Sequence, residues 1–200
     1  MRRLALLLLC LLLPAVASAQ DLPALYAVTG VAADDVLNLR DAPRASGQKI
    51  GTLAPDATGV EVTAIRDGWG RVNAGPRAGW ASMRYLAREA PDAEVLTRRL
   101  SCAGTEPFWS LDITQGARVR FEPADGPAQE AAAGTLRPAE GWRDAFVLPL
   151  EAGEGGLSAV ILHRRQCSDG MSDRAFGLSV DLLTGAAPDP LLRTGCCSLR

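Results

Sequence analysis

Four cysteines, Cys102, Cys167, Cys196 and Cys197, are the most reactive side chains in the second half of this 200-residue chain. A thiolate can attack a carbonyl, ligate a metal or enter a disulfide. Cys196 and Cys197 are adjacent, and one trans peptide leaves their Cα atoms too close for a relaxed bridge. They are therefore expected to take Cys102 and Cys167, in an order the sequence leaves open. An even set in an exported chain reads as a disulfide framework. A zinc site would need all four thiolates on one ion, and a vicinal pair in an oxidising compartment argues against it. Paired sulfurs carry no thiolate, so no cysteine nucleophile, metal or cofactor is expected.

The other groups with chemical potential are few. His163 is the only histidine. A Ser-His-Asp arrangement would have to use it, yet it ends an apolar run beside Arg164 and Arg165, without the glycine pattern of a nucleophile elbow. The stretch Cys167-Ser168-Asp169-Gly170-Met171-Ser172-Asp173-Arg174 holds carboxylates and hydroxyls for proton transfer or cation binding, or for a tight turn beside a disulfide; the turn is the preferred reading. Glu106 lies between Thr105 and Pro107-Phe108-Trp109. It reads either as a desolvated carboxylate with a raised pKa or as a partner of Arg174 or of backbone amides that locks a strand. The candidates in this half are thus Glu106, Trp109, Asp169, Asp173 and Arg174. No phosphate loop, H-E-x-x-H or C-x-x-C motif is present.

In the first half the candidates are Arg40, Trp69, Trp80 and Tyr85. Aromatic faces stack on sugar rings or pack on peptides, and an arginine pairs with a carboxylate. Trp69 reads more readily as core or half-core, and Arg40 as the partner of a strand neighbour. Trp80 and Tyr85 are the better platform residues, being flanked by polar Ser82 and Arg84.

Short strands must position these groups. Leu25 to Val31, Val36 to Arg40, Ile50 to Leu53 and Gly59 to Ile65 are apolar or alternating. Asp67-Gly68 is a hairpin signal ahead of Trp69 to Val72, and Gly75-Pro76 turns the chain toward Gly79 to Ala81. The set Asn38-Leu39-Arg40-Asp41-Ala42-Pro43, Ile50-Gly51-Thr52-Leu53-Ala54-Pro55-Asp56, Asp67-Gly68-Trp69-Gly70-Arg71-Val72, Gly79-Trp80-Ala81 and Arg84-Tyr85-Leu86 resembles a bacterial SH3 (SH3b) domain of the cell-envelope type. The resemblance covers about Leu25 to Arg88. It implies an SH3-like barrel, a short 3₁₀ turn near Ser82 to Leu86, and a ligand groove near the loop from Pro43 to Gln48. Ala42 and Ala57 stand where that family often has glycine.

Pro91 marks a boundary, and Asp92 to Leu100 reads as a helical turn or an extended connector. Beyond it, Cys102-Ala103-Gly104-Thr105-Glu106-Pro107-Phe108-Trp109, the Cys167 to Arg174 stretch and Gly195-Cys196-Cys197 resemble an uncharacterised family of bacterial envelope proteins. That resemblance implies a small β-barrel or meander, loosely similar to META-type heat-shock lipoproteins and lysozyme inhibitors. The residues agree. Trp109 to Ile113 and Arg118 to Phe121 alternate, and Phe146 to Leu150 and Phe176 to Leu183 read as strands. Leu157 to His163 reads as a strand buried on both faces, and Gly126 to Gly134 as a long loop.

The chain opens with Met1-Arg2-Arg3, an apolar run from Leu4 to Leu13, and Ala17-Ser18-Ala19. This is the pattern of a cleaved signal peptide, 1–19, with Cys10 inside the discarded segment rather than at a lipoprotein site. The run is too short to span a bilayer. Without Arg2 and Arg3 the chain has 19 basic and 23 acidic side chains and no basic stripe, which excludes a nucleic-acid partner.

The expected organisation is all-β: an SH3b-like domain over 24–88, a linker over 89–99 and a cysteine-containing β domain over 100–200. The expected function is non-enzymatic binding, in the periplasm or outside the cell, of peptidoglycan or an envelope protein or peptide, with membrane contact only through the cleaved leader. The alternatives are a cell-wall hydrolase targeted by its SH3b domain, and an inhibitor of a lysozyme-like enzyme that inserts the loop from Asp169 to Arg174.

Overall fold

The computed structural model describes residues 21–89, 99–151, 156–185 and 188–200. The expected leader with Cys10, and the connector apart from Glu89 and Arg99, lie outside them. The described chain is all-β, with one 3₁₀ turn at Met83–Tyr85.

The first sheet holds β1 (Ala24–Val28), β2 (Leu37–Arg40), β3 (Lys49–Leu53), β4 (Val60–Arg66), β5 (Trp69–Ala74), β6 (Arg77–Ser82) and β7 (Leu86–Arg88), in the order β3-β2-β6-β5-β4-β1-β7. Period-two patterning explains its core: Leu37 and Leu39, Val60 and Val62, and Val72 turn inward onto Tyr26 and Val28. The β4–β5 hairpin closes at Asp67 and Gly68, both at positive φ (50° and 77°), the conformation a two-residue Asp-Gly turn requires.

The second sheet holds β8 (Leu100–Thr105), β9 (Phe108–Thr114), β10 (Arg118–Pro123), β11 (Gln129–Ala132), β12 (Arg137–Pro138), β13 (Ala145–Leu148), β14 (Leu157–Cys167), β15 (Phe176–Thr184) and β16 (Leu191–Leu199). Its order is β11-β10-β9-β8-β16-β15-β14-β13-β12. It curls into a half-barrel, and a bridge between Ala133 and Leu150 draws its two ends together. Trp109, Leu111, Ile113, Phe121, Leu162, Val180 and Leu182 fill the concave side.

Two expectations are corrected here, and one strand is new. Gly126 to Gly134 is not wholly a loop: Gln129–Ala132 pairs with β10 as an outer strand. Its alanines and glutamate have weak strand propensity, so pairing rather than residue type decides. Leu157 to His163 is not buried on both faces. Val160 and Leu162 face the core, whereas Ile161 is 40% exposed, and the strand runs on to Cys167. The long β16, which carries the vicinal cysteines, was not foreseen.

The disulfides join Cys102 to Cys197 and Cys167 to Cys196. Consecutive residues of a strand point to opposite faces. Cys197 therefore enters the core opposite Cys102, its partner in the β8–β16 ladder. Cys196 faces the convex side, where Cys167 meets it. A vicinal pair in an extended strand thus staples two faces of one sheet.

The two sheets are docked. Leu25 turns away from the first core and packs into the second. The Asn73 amide donates to Ala175 O (2.8 Å) and accepts from Ala175 N (2.9 Å), imitating a strand neighbour. Ala78 N donates to Asp173 O at 2.8 Å, Gln166 donates to Thr63 O at 2.8 Å, and Arg164 pairs with Asp21 at 3.0 Å.

Candidate functional site

On β5 the inward positions are Gly70 and Val72, so Trp69, Arg71 and Asn73 point outward. The register sets Trp69 opposite Ser82, Arg71 opposite Trp80, and Trp80 opposite Arg40 of β2. One outer face therefore carries Trp69, Ser82, Trp80 and Arg40. The 3₁₀ turn that follows β6 brings Tyr85 back beside it.

These residues border a groove of about 230 Å³ lined by Val36, Asn38, Arg40, Trp69, Ser82 and Tyr85, among others. Ligand pockets for whole small molecules are usually about 300–1,000 Å³, so this groove suits one ring or side chain of a larger ligand. Trp69 and Tyr85 are half-buried. The Arg84 guanidinium lies 5.6 Å from the Tyr85 ring centre, which holds one face of that ring. Arg40 donates to Gly47 O at 2.7 Å. It thereby pins the loop after β2 while the residue lines the groove.

The sequence candidates separate here. Arg40, Trp69 and Tyr85 converge. Trp69, read more readily as core or half-core, is half-buried and lines the groove, whereas Trp80 shares the sheet face but does not line the groove. Asn38 was missed. The residue lines this groove, and its amide oxygen is buried with no hydrogen-bond partner among the described residues. The signal for it was its outward position between inward Leu37 and Leu39.

The second-domain candidates do not form one site. Glu106 is exposed in the β8–β9 turn, which overturns the desolvated reading: the turn projects the carboxylate away from the sheet. Trp109 is 5% exposed and packs on Phe121 at 6.0 Å, so it is core. Asp169 builds a turn. Its Oδ1 accepts Met171 N and Ser172 N at 3.1 and 2.9 Å, and its Oδ2 accepts the Ser172 hydroxyl at 2.7 Å. Burial pushes its pKa up, but these hydrogen bonds and Arg174 outweigh that and leave it below the usual carboxylate range. Asp173 and Arg174 are exposed; Asp173 meets Ala78 through its backbone, and Arg174 lies 5.3 Å from the Phe176 ring centre. His163 pairs with Asp181 at 3.2 Å, while Ser179 accepts a hydrogen bond from Arg165 at 2.7 Å. Among the described residues, no cluster of three His, Cys, Asp or Glu side chains is set to hold a metal ion, and no helix is long and apolar enough to cross a membrane.

Residues 35–87 match the bacterial SH3 domain family. The match contains β2 to β6, the 3₁₀ turn and every groove residue named above. Comparison with curated proteins and with solved structures returned no match. An SH3 domain of this bacterial type supports a generic binding role at the cell envelope.

Proposed function

We propose that this protein is exported and binds peptidoglycan, glycan or stem peptide, through the SH3 groove, without catalysing a reaction. The observation that carries this reading is the convergence of two half-buried aromatic rings, Trp69 and Tyr85, with Arg40 on one groove. A ring face takes a sugar or an apolar side chain. Arg40 takes a carboxylate. All four cysteines of the second half are paired, and the single histidine is engaged by Asp181. Both facts support binding over a hydrolase built on Cys-His chemistry. The basic, apolar and A-x-A segments at the N-terminus support delivery to the periplasm or beyond.

The test is titration of the isotopically labelled mature chain with soluble peptidoglycan fragments, followed by amide and indole resonances. Saturable shifts centred on Asn38, Arg40, Trp69 and Tyr85 are expected. Shifts confined to residues 100–200, or no shifts, would overturn the reading.

A further inference from the structure

A second cavity lies apart from the SH3 groove. It lies where the two sheets meet and has a volume of about 800 Å³. One wall is the β3–β4 loop and start of β4, with Leu53, Val60 and Glu61. The other is the convex face of the half-barrel, with Ser198 of β16 and Arg174 and Phe176. Neither domain forms it alone.

Its walls carry charges of both signs. Glu61 reaches across from β4, and its Oε1 accepts the amide of Leu199 at 3.1 Å. Burial raises its pKa from 4.5 to about 7, against the opposing pull of the Leu199 amide, the Ser198 hydroxyl and Arg174. Arg174 from the 168–175 loop and Arg200 after β16 are the cationic groups lining this space. Asp169 also lines it, but its oxygens are occupied by the Ser172 and Met171 turn. Glu61 is therefore the carboxylate of this space that a ligand cation can meet, and Arg174, exposed over the Phe176 ring and acting on both Glu61 and Asp169, is the guanidinium that a ligand anion can meet. Leu53, Val60, Pro76 and Phe176 provide apolar surface between them.

We infer that this interdomain cleft is a second ligand site, taking a short peptide with its free ammonium at Glu61 and its carboxylate at Arg174. A desolvated carboxylate gains most from a ligand cation that replaces its lost hydration. A cavity of this size also falls in the range that encloses a small ligand. The site goes beyond the groove reading and does not depend on it.

The probe is trialanine, titrated calorimetrically into the mature chain, with N-acetyl-trialanine and trialanine amide as controls. Glu61→Gln and Arg174→Ala are compared with Trp69→Ala, and folding is checked by circular dichroism and by intact disulfides. Saturable binding of trialanine is expected, weakened about tenfold by blocking either terminus, by E61Q or by R174A, and unchanged by W69A. In the unmodified protein the affinity should also rise between about pH 5.5 and about pH 7.5, where Glu61 ionises and the peptide ammonium persists; E61Q should lose that dependence. No saturable binding, equal binding of the blocked peptides, or equal affinity and pH dependence in folded E61Q would overturn the inference. Loss of binding in W69A alone would overturn it too, by moving the peptide to the groove.

Discussion

Two residues show how single positions govern this molecule. A Cβ placed on Gly104 would sit 2.2 Å from the Trp109 Nε1 and 2.8 Å from Thr194 O, and one on Gly195 would sit 2.3 Å from Ala103 O. The two glycines form a slot for the indole. This accounts physically for Gly104 and Trp109 in the Cys102 to Trp109 motif, and for Gly195 beside the cysteines. Gly104→Ala should lower the urea midpoint by an amount equivalent to about 1–3 kcal/mol or more, as overpacking does; an unchanged midpoint would show that the slot is not needed. Glu61 is the second case. Its folded pKa, about 7 against 4.5, lies above the unfolded value, so the folded state holds the extra proton between them. Its contribution is most favourable below about pH 4.5 and is lost as pH rises toward about 7, by an amount on the order of 2–3 kcal/mol. Chemical denaturation across this range should show the wild type losing stability relative to Glu61→Gln as pH rises. A constant difference between the two would contradict the raised pKa.

At the scale of elements, the strands of the first sheet were legible because each has an inward apolar position every second residue and a turn residue at its end. The sequence also placed the sheet's aromatics and Arg40 among the candidates. Trp69 stayed between core and groove because residue type alone does not tell a buried tryptophan from a half-buried one. In the second sheet legibility fell where pairing overrides composition. Gln129–Ala132 has no strand signature, and Leu191–Leu199 hides its alternation behind Gly195 and the two cysteines. The disulfide order was unreadable because it depends on which face of β16 each cysteine takes. The docking of the 168–175 loop could not be read either, since Asn73 meets Ala175 across 102 residues. Asn73→Ala removes both of these hydrogen bonds and should cost about 1–3 kcal/mol. It should broaden or split thermal unfolding into two steps, whereas a single unshifted transition would mean that the docking contributes nothing.

For the molecule as a whole, the half-barrel acts as more than a passive companion of the SH3 domain. It takes Leu25 from β1 into its own core, holds the β5–β6 hairpin by the Asp173 and Ala175 backbone, and walls off a cavity that the SH3 domain lacks alone. The groove lies away from this contact, on the side of Trp69 and Tyr85, and stays open to a polymer too large for any cavity. The account therefore stands on whether that groove holds cell-wall material. The most direct measurement is co-sedimentation of the mature protein with purified peptidoglycan sacculi, beside Trp69→Ala, Tyr85→Ala and Trp80→Ala variants of confirmed fold. The account predicts saturable binding that drops about tenfold or more in the first two and is largely kept in the third. Wild-type protein that stays in the supernatant, or binding indifferent to Trp69 and Tyr85, would contradict it.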